Sequence, residues 1–141
     1  MKRLRLLTIG FLMIFLVSCS SVGNKSLSGE SEYWKVNYTL TPSQSDNSEY
    51  YTIHEAFTIT YKSGRSGGKI TMGGGGGQTI CGPVKGQAYV QEGGIVKFEE
   101  SCMKTADEIT RYDKEEKYSI YIYWVDSIVP GGSKGEGIEL K

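Results

Sequence analysis

The residues of this chain that could do acid–base, nucleophilic or metal chemistry are few: one histidine, three cysteines and a scatter of adjacent carboxylates. Nucleophilic catalysis needs a base beside a hydroxyl or thiol, and His54 is the single histidine available for that role. It lies midway along an alternating stretch, on the side that carries Thr52, Thr58 and Thr60, which is where a solvated histidine belongs. Glu99-Glu100, Asp107-Glu108 and Glu115-Glu116 are neighbours in sequence. Adjacent side chains of a strand point to opposite faces, so these pairs do not bring two carboxylates to one proton and read as solvated charges. No Asp-x-Asp-x-Asp-Gly calcium loop occurs. The residues therefore lead to no catalytic set, no metal site and no cofactor.

The cysteines divide into one and two. Cys19 closes the stretch Leu16-Val17-Ser18-Cys19, which follows Lys2, Arg3, Arg5 and an uncharged run of 12 residues from Leu6 to Val17. That is the charged and apolar layout of a secretory signal, and the run is too short to span a bilayer, which takes about 20 apolar residues. Leu-Val-Ser-Cys resembles the bacterial lipobox. The resemblance implies that Cys19 receives a diacylglycerol, that cleavage removes residues 1–18, and that the lipidated Cys19 becomes the first residue. Two or three acyl chains hold a protein firmly, since each buried methylene contributes about 0.8 kcal/mol. The expected address is the cell membrane, lipid-anchored and extracytoplasmic.

Cys81 and Cys102 remain, and a pair in an exported chain points to a disulfide. If Gly86–Gln91 and Ile95–Glu99 form a hairpin around Glu92-Gly93-Gly94, the two cysteines lie near its open end, where a bridge would staple the flanking loops. Free, half-buried thiols are the alternative. A metal is a further one, although two thiolates and one histidine are too few for a closed tetrahedral zinc site.

The elements that must position these residues read as strands. Removing the leader from 141 residues leaves 123, the size of one domain with its own core. The leader holds three of the 16 basic residues and none of the 16 acidic ones, so the mature chain carries 13 against 16, a formal charge of −3. No basic cluster follows the leader, and nucleic acid is not an expected partner. Ten Tyr, 19 Gly and alternating Thr, Ile and Val favour sheet over helix.

Residues 20–31 hold five Ser and two Gly in 12 positions and read as a flexible tether leading to a domain over residues 32–141. Tyr33–Leu40 alternates with Trp34, Val36, Tyr38 and Leu40 on one face. Tyr51, Ile53, Phe57, Ile59 and Tyr61 continue the pattern, but Glu55 falls on their apolar side, and a bulge or an edge position is expected there. Lys69–Met72 is a short strand before the run Gly73 to Gly77. That run fits neither a Walker loop nor a dinucleotide fingerprint, because the spacing fails and no helix can open after it, so a mobile loop is expected. Thr105–Lys117 is a charged connection, either a short helix or a strand crossing. Tyr118–Val125 is heavy on both faces and belongs mid-sheet, and Gly137–Lys141 follows the Pro130-Gly131-Gly132-Ser133 turn as a last strand. About seven strands with polar turns suggest an antiparallel β-sandwich.

The order of tether, Trp-containing strand Glu32-Tyr33-Trp34-Lys35-Val36, aromatic strand and closing hairpin resembles the small immunoglobulin-like lipoproteins of Gram-positive bacteria. That resemblance implies an all-β, immunoglobulin-like sandwich and a membrane address, and carries no activity with it. The cysteines depart from the antibody pattern, being only 21 positions apart.

Tyr121 and Tyr123 share one face of the central strand, and Tyr33, Tyr50 and Tyr89 are further outward candidates. Tyrosines on a rigid sheet stack on sugar rings or anchor a protein, because each offers a large contact area at low entropic cost. The competing reading makes them a second layer, shielded by loops. The function expected is a non-enzymatic binding or structural module of the envelope, with membrane contact through lipid on Cys19 and an envelope protein or glycan as partner. The alternative is an inhibitor of, or an enzyme acting on, cell-wall polymers.

Overall fold

Alternation along the chain becomes layering. Trp34, Val36, Tyr38 and Leu40 are buried while Lys35, Asn37 and Thr39 between them are exposed, as a half-buried strand requires. The computed structural model describes residues 22–44, 49–73, 78–115, 118–124 and 134–141. Cys19 and its box, Asp46-Asn47-Ser48, Gly74 to Gly77, Val125 and the turn at Pro130 lie outside the described residues.

The chain is an all-β protein of two antiparallel sheets. β1 (Lys25–Glu30), β2 (Trp34–Gln44), β3 (Tyr50–Tyr61) and β8 (Ile95–Thr105) form the first, in the order β1-β2-β3-β8. The second is built on β9 (Ser119–Trp124). β10 (Lys134–Glu139) pairs with one edge of β9, while β4 (Lys69–Met72) and β5 (Gln78–Thr79) take successive positions along the other. β7 (Gly86–Tyr89) continues outward from β4, and β6 (Gly82–Pro83) from β5. Tyr118–Val125 was expected mid-sheet for its two heavy faces, and β9 is the strand with three neighbours.

Four expectations change. The tether is shorter than its composition implies: Lys25–Glu30 pairs with Lys35–Leu40 over six registered positions, and Leu27 packs on the core. Small residues suit this strand because β1 also meets the end of the chain. Ser28 and Lys141 exchange both backbone hydrogen bonds, at 3.0 and 2.9 Å, and a Cβ on Gly29 would collide with the Glu139 carbonyl and lie 2.7 Å from Ile138 Cγ2. The domain thus begins before residue 32, and the low apolar content of the stretch hid a strand held largely by backbone pairing.

The expected hairpin is the second correction. β7 and β8 are joined by a tight turn at Glu92–Gly94, with Gln91 N–H donating to the Ile95 carbonyl at 2.9 Å, but each strand then pairs in a different sheet. The turn is a seam between layers. Third, ten strands are described rather than seven, because β1 was read as tether and the two-residue β5 and β6 carry no periodicity. Finally, β3 runs through Glu55 without a bulge, keeping register with Leu40 on one side and Glu100 on the other.

The charged connection contains one helix, α1 (Ala106–Glu115). It starts at a capping box: Thr105 Oγ1 accepts the Glu108 N–H at 3.2 Å, and Glu108 Oε2 accepts the Thr105 N–H at 2.8 Å. Ile109 enters the core, and Tyr112 packs edge-on to Tyr118. Asp113 then ties three elements, accepting from Lys25 of β1 and from the Tyr118 hydroxyl, both at 2.7 Å. Among the described residues no helix is long and apolar enough to cross a membrane. Between the sheets Trp34 and Trp124 meet at 5.6 Å with their rings tilted by 56°, and Tyr38 touches both Phe57 and Tyr118. Each such ring contributes about 1.5–3 kcal/mol through burial.

Candidate binding face

Two places in this frame have more organisation than packing requires. One is inside. Glu55 is 1 % exposed, and its carboxylate is held by hydroxyls from both sheets: Tyr38 donates to Oε1 and Thr79 to Oε2, each at 2.7 Å. The Ile80 and Cys81 amides also donate to it. Burial pushes the Glu55 pKa up, and the four hydrogen bonds pull partly against that rise. Burial, and after it the same carboxylate, push the Tyr38 hydroxyl well above its ordinary range. Glu55 therefore organises the turn between β5 and β6 by accepting from the Ile80 and Cys81 amides and from the Thr79 hydroxyl, which also lies 3.1 Å from the Gly82 carbonyl.

That turn is also covalently tied. Cys81 and Cys102 form a disulfide with a Cα–Cα distance of 5.4 Å, and Cys102 is the register partner of Ile53 on β8. The bridge connects the turn of the second sheet to an edge strand of the first, so the bonded pairing is settled among the three alternatives and its context is an inter-sheet staple.

The second place is the outer face of the second sheet. Tyr121 and Tyr123 lie on it together, as their spacing requires, but in different states. Tyr123 is 41 % exposed, and Tyr89, on β7 two strands away, is 67 % exposed on the same face. Tyr121 is half-buried. Its register partner on β10 is Gly137, and the next outward residue is Gly135, the partner of Tyr123. A Cβ on Gly135 would collide with the Tyr121 hydroxyl and lie 2.6 Å from Cε1 and 2.7 Å from Cζ. The Tyr121 ring therefore lies down along β10, over backbone cleared of side chains. The alternation Gly135-x-Gly137 is visible in the sequence, and the β9–β10 register places it against Tyr121-x-Tyr123.

The other tyrosines separate from this group. Tyr33 packs edge-on to Trp124 at 5.9 Å, and Tyr50 is exposed at the start of β3 in the other sheet. The Tyr33 pKa is raised, first by its hydrogen bond to Glu32 and then by burial.

His54 is exposed on the outer face of the first sheet, opposite Ser101 in register, and its Nδ1 shares a 2.8 Å hydrogen bond with Ser101 Oγ. The sequence reading had no partner for it, because Ser101 is 47 positions away. The hollow between β1 and α1, about 210 Å³, is lined by Val22, Lys25, Leu40, Ile109 and Asp113 among others, and His54 is not part of it.

Comparison of the chain with protein-family models, curated proteins and solved structures gave no match.

Proposed function

We propose that this chain is a lipid-anchored envelope protein, resembling the small immunoglobulin-like lipoproteins named above, whose domain acts as a non-enzymatic binding module through the outer face of its second sheet. Lipid on Cys19 supplies the membrane contact. The observation that carries the binding reading is the pair Tyr89 and Tyr123, 67 % and 41 % exposed on one rigid sheet face. Exposing two large rings leaves apolar area in water that a ligand would cover, and short strands hold the rings with little ordering left to be done on binding. The correction at β1 sharpens the geometry, since only residues 20–24 separate the anchor from the first strand. At about 3.4 Å per extended residue, those five reach at most roughly 17 Å, so the ligand would be met close to the bilayer.

Two experiments test the parts separately. Labelling cells with an alkyne fatty acid should mark the chain and fail to mark Cys19→Ser. Affinity capture from detergent-solubilised envelope should retain a component that the Tyr89→Ser, Tyr123→Ser double variant does not. Equal capture by both chains would remove this face from consideration.

A further inference from the structure

Resting on the binding face proposed above, we infer that its ligand is an extended, uncharged oligosaccharide whose pyranose rings stack on Tyr121, Tyr123 and Tyr89. Shape, spacing and charge of the face lead there separately.

Shape comes from β10. Glycine within a strand weakens it by roughly 0.5–1 kcal/mol relative to alanine, yet two glycines occupy consecutive outward positions, Gly135 and Gly137. Their consequence is that the Tyr121 ring can recline on the β10 backbone, with Cδ2 3.7 Å from a Cβ built on Gly137 and its far end over Gly135. A ring lying on backbone turns a π-face outward instead of an edge. Sugars present a matching surface, because the axial C–H groups of a pyranose make one side of the ring apolar while the hydroxyls project from its rim.

Spacing comes from the sheet. Tyr123 is paired with Thr71, which is paired with Gln87, and Tyr89 lies one outward position further along β7, opposite Lys69. Two strand spacings and a two-residue offset put Tyr89 and Tyr123 about 12 Å apart. The rings are thus separate platforms joined by Thr71 and Gln87, whose hydroxyl and amide suit a ligand that alternates apolar faces with hydroxyl rims. A protein hot spot is built differently, from anchors crowded into one desolvated pocket.

Charge completes the argument. Among the described residues on this face, Lys69 and Glu139 stand at opposite ends, and the exposed Lys85 and Lys141, which continue the outward alternation just outside β7 and β10, add charge at its edge; the tyrosines, glycines, Ser119, Thr71 and Gln87 fill the centre. An uncharged chain of sugars fits the centre.

The test uses the full chain purified from membranes in detergent, titrated with chitotetraose, cellotetraose and maltotetraose. A β-1,4-linked chain is extended and presents successive ring faces to a flat surface, whereas the α-linked chain curves away. Binding to chitotetraose or cellotetraose, with little to maltotetraose, is the expected result. Tyr123→Ala and Tyr89→Ala should each weaken it about three- to tenfold. Gly135→Val tests the glycine cradle. Even the valine Cβ would lie 2.6 Å from Tyr121 Cε1 and 2.7 Å from Cζ, so valine must lift the whole ring off β10; binding should fall while backbone circular dichroism shows the sheet intact. Failure of all three sugars to bind overturns the inference, and so does sugar binding that is indifferent to the tyrosine variants. If no sugar binds but envelope capture still depends on Tyr89 and Tyr123, the binding face stands and its saccharide ligand does not. If neither sugar binding nor capture depends on them, both readings fall.

Discussion

Thr79 and Glu55 are 24 positions apart in sequence, yet the threonine hydroxyl donates to Glu55 Oε2 at 2.7 Å inside the domain. Tyr38 holds the other oxygen at the same distance, so this carboxylate joins β2, β3 and the β5–β6 turn in one polar contact. Removing one donor should cost less than removing the acceptor. Tyr38→Phe and Thr79→Val should each destabilise the domain by about 1–3 kcal/mol. Glu55→Ala should cost more than either, since it removes the acceptor of the Tyr38 hydroxyl and two amides at once and leaves Thr79 only the Gly82 carbonyl. Urea unfolding of the three variants at neutral pH measures the order; equal effects would mean that the carboxylate does not organise the turn.

The same residue predicts a pH dependence. Burial raises the Glu55 pKa above its ordinary 4.5, so the native state holds this proton more tightly than the unfolded chain does. Its contribution to stability is then full below 4.5 and is lost as pH rises through the folded-state value. Glu108 runs the other way. Hydrogen bonds from Thr105 lower its pKa, so its contribution is present above 4.5 and is lost as pH falls through its folded-state value. Melting temperatures of the wild type and Glu55→Gln across about pH 4 to 8 isolate this residue, because Glu108 is common to both: the wild type should fall relative to the variant as pH rises. A wild type that gains on the variant with rising pH would reverse the sign.

Cys81 and Cys102 should behave as a staple. In the chain-entropy account a loop of this size contributes about 3 kcal/mol, so Cys81→Ser, Cys102→Ser and the double variant should all lose about that amount. Hydrogen exchange should rise first at residues 78–84, which the bridge and Glu55 hold from two sides. Unchanged exchange there after reduction would show that the carboxylate holds the turn without the bridge.

How much of this was legible depends on which interactions hold each element. β2, most of β3 and β9 were readable because their burial alternates with period two, and Trp34, Tyr38, Ile120 and Trp124 are buried where that pattern puts them. β1 was not, because Ser26, Ser28 and Gly29 pair through backbone and leave little apolar trace. Glu55 looked like an error in the pattern for a physical reason: its partners come from β2 and from the turn after β5, and no local spacing reveals them. The helix had a readable start in Thr105-Ala106-Asp107-Glu108, a capping box that decides between helix and strand crossing. Thr105→Ala should accordingly cost about 1 kcal/mol, measurable by urea unfolding. On the binding face the tyrosines were legible by alternation. The glycine cradle beneath Tyr121 needed the β9–β10 register, which only the fold supplies.

The central claim, that the outer face of the second sheet meets the ligand, is tested most directly in living cells by photo-crosslinking. A photoreactive phenylalanine analogue at position 123 or 89 reports on that face. The same analogue at Met103, 65 % exposed on the first sheet, serves as the control for general exposure. The account predicts a discrete adduct from positions 123 and 89 that is absent from position 103. Adducts from position 103 alone, or the same pattern from all three positions, would contradict it.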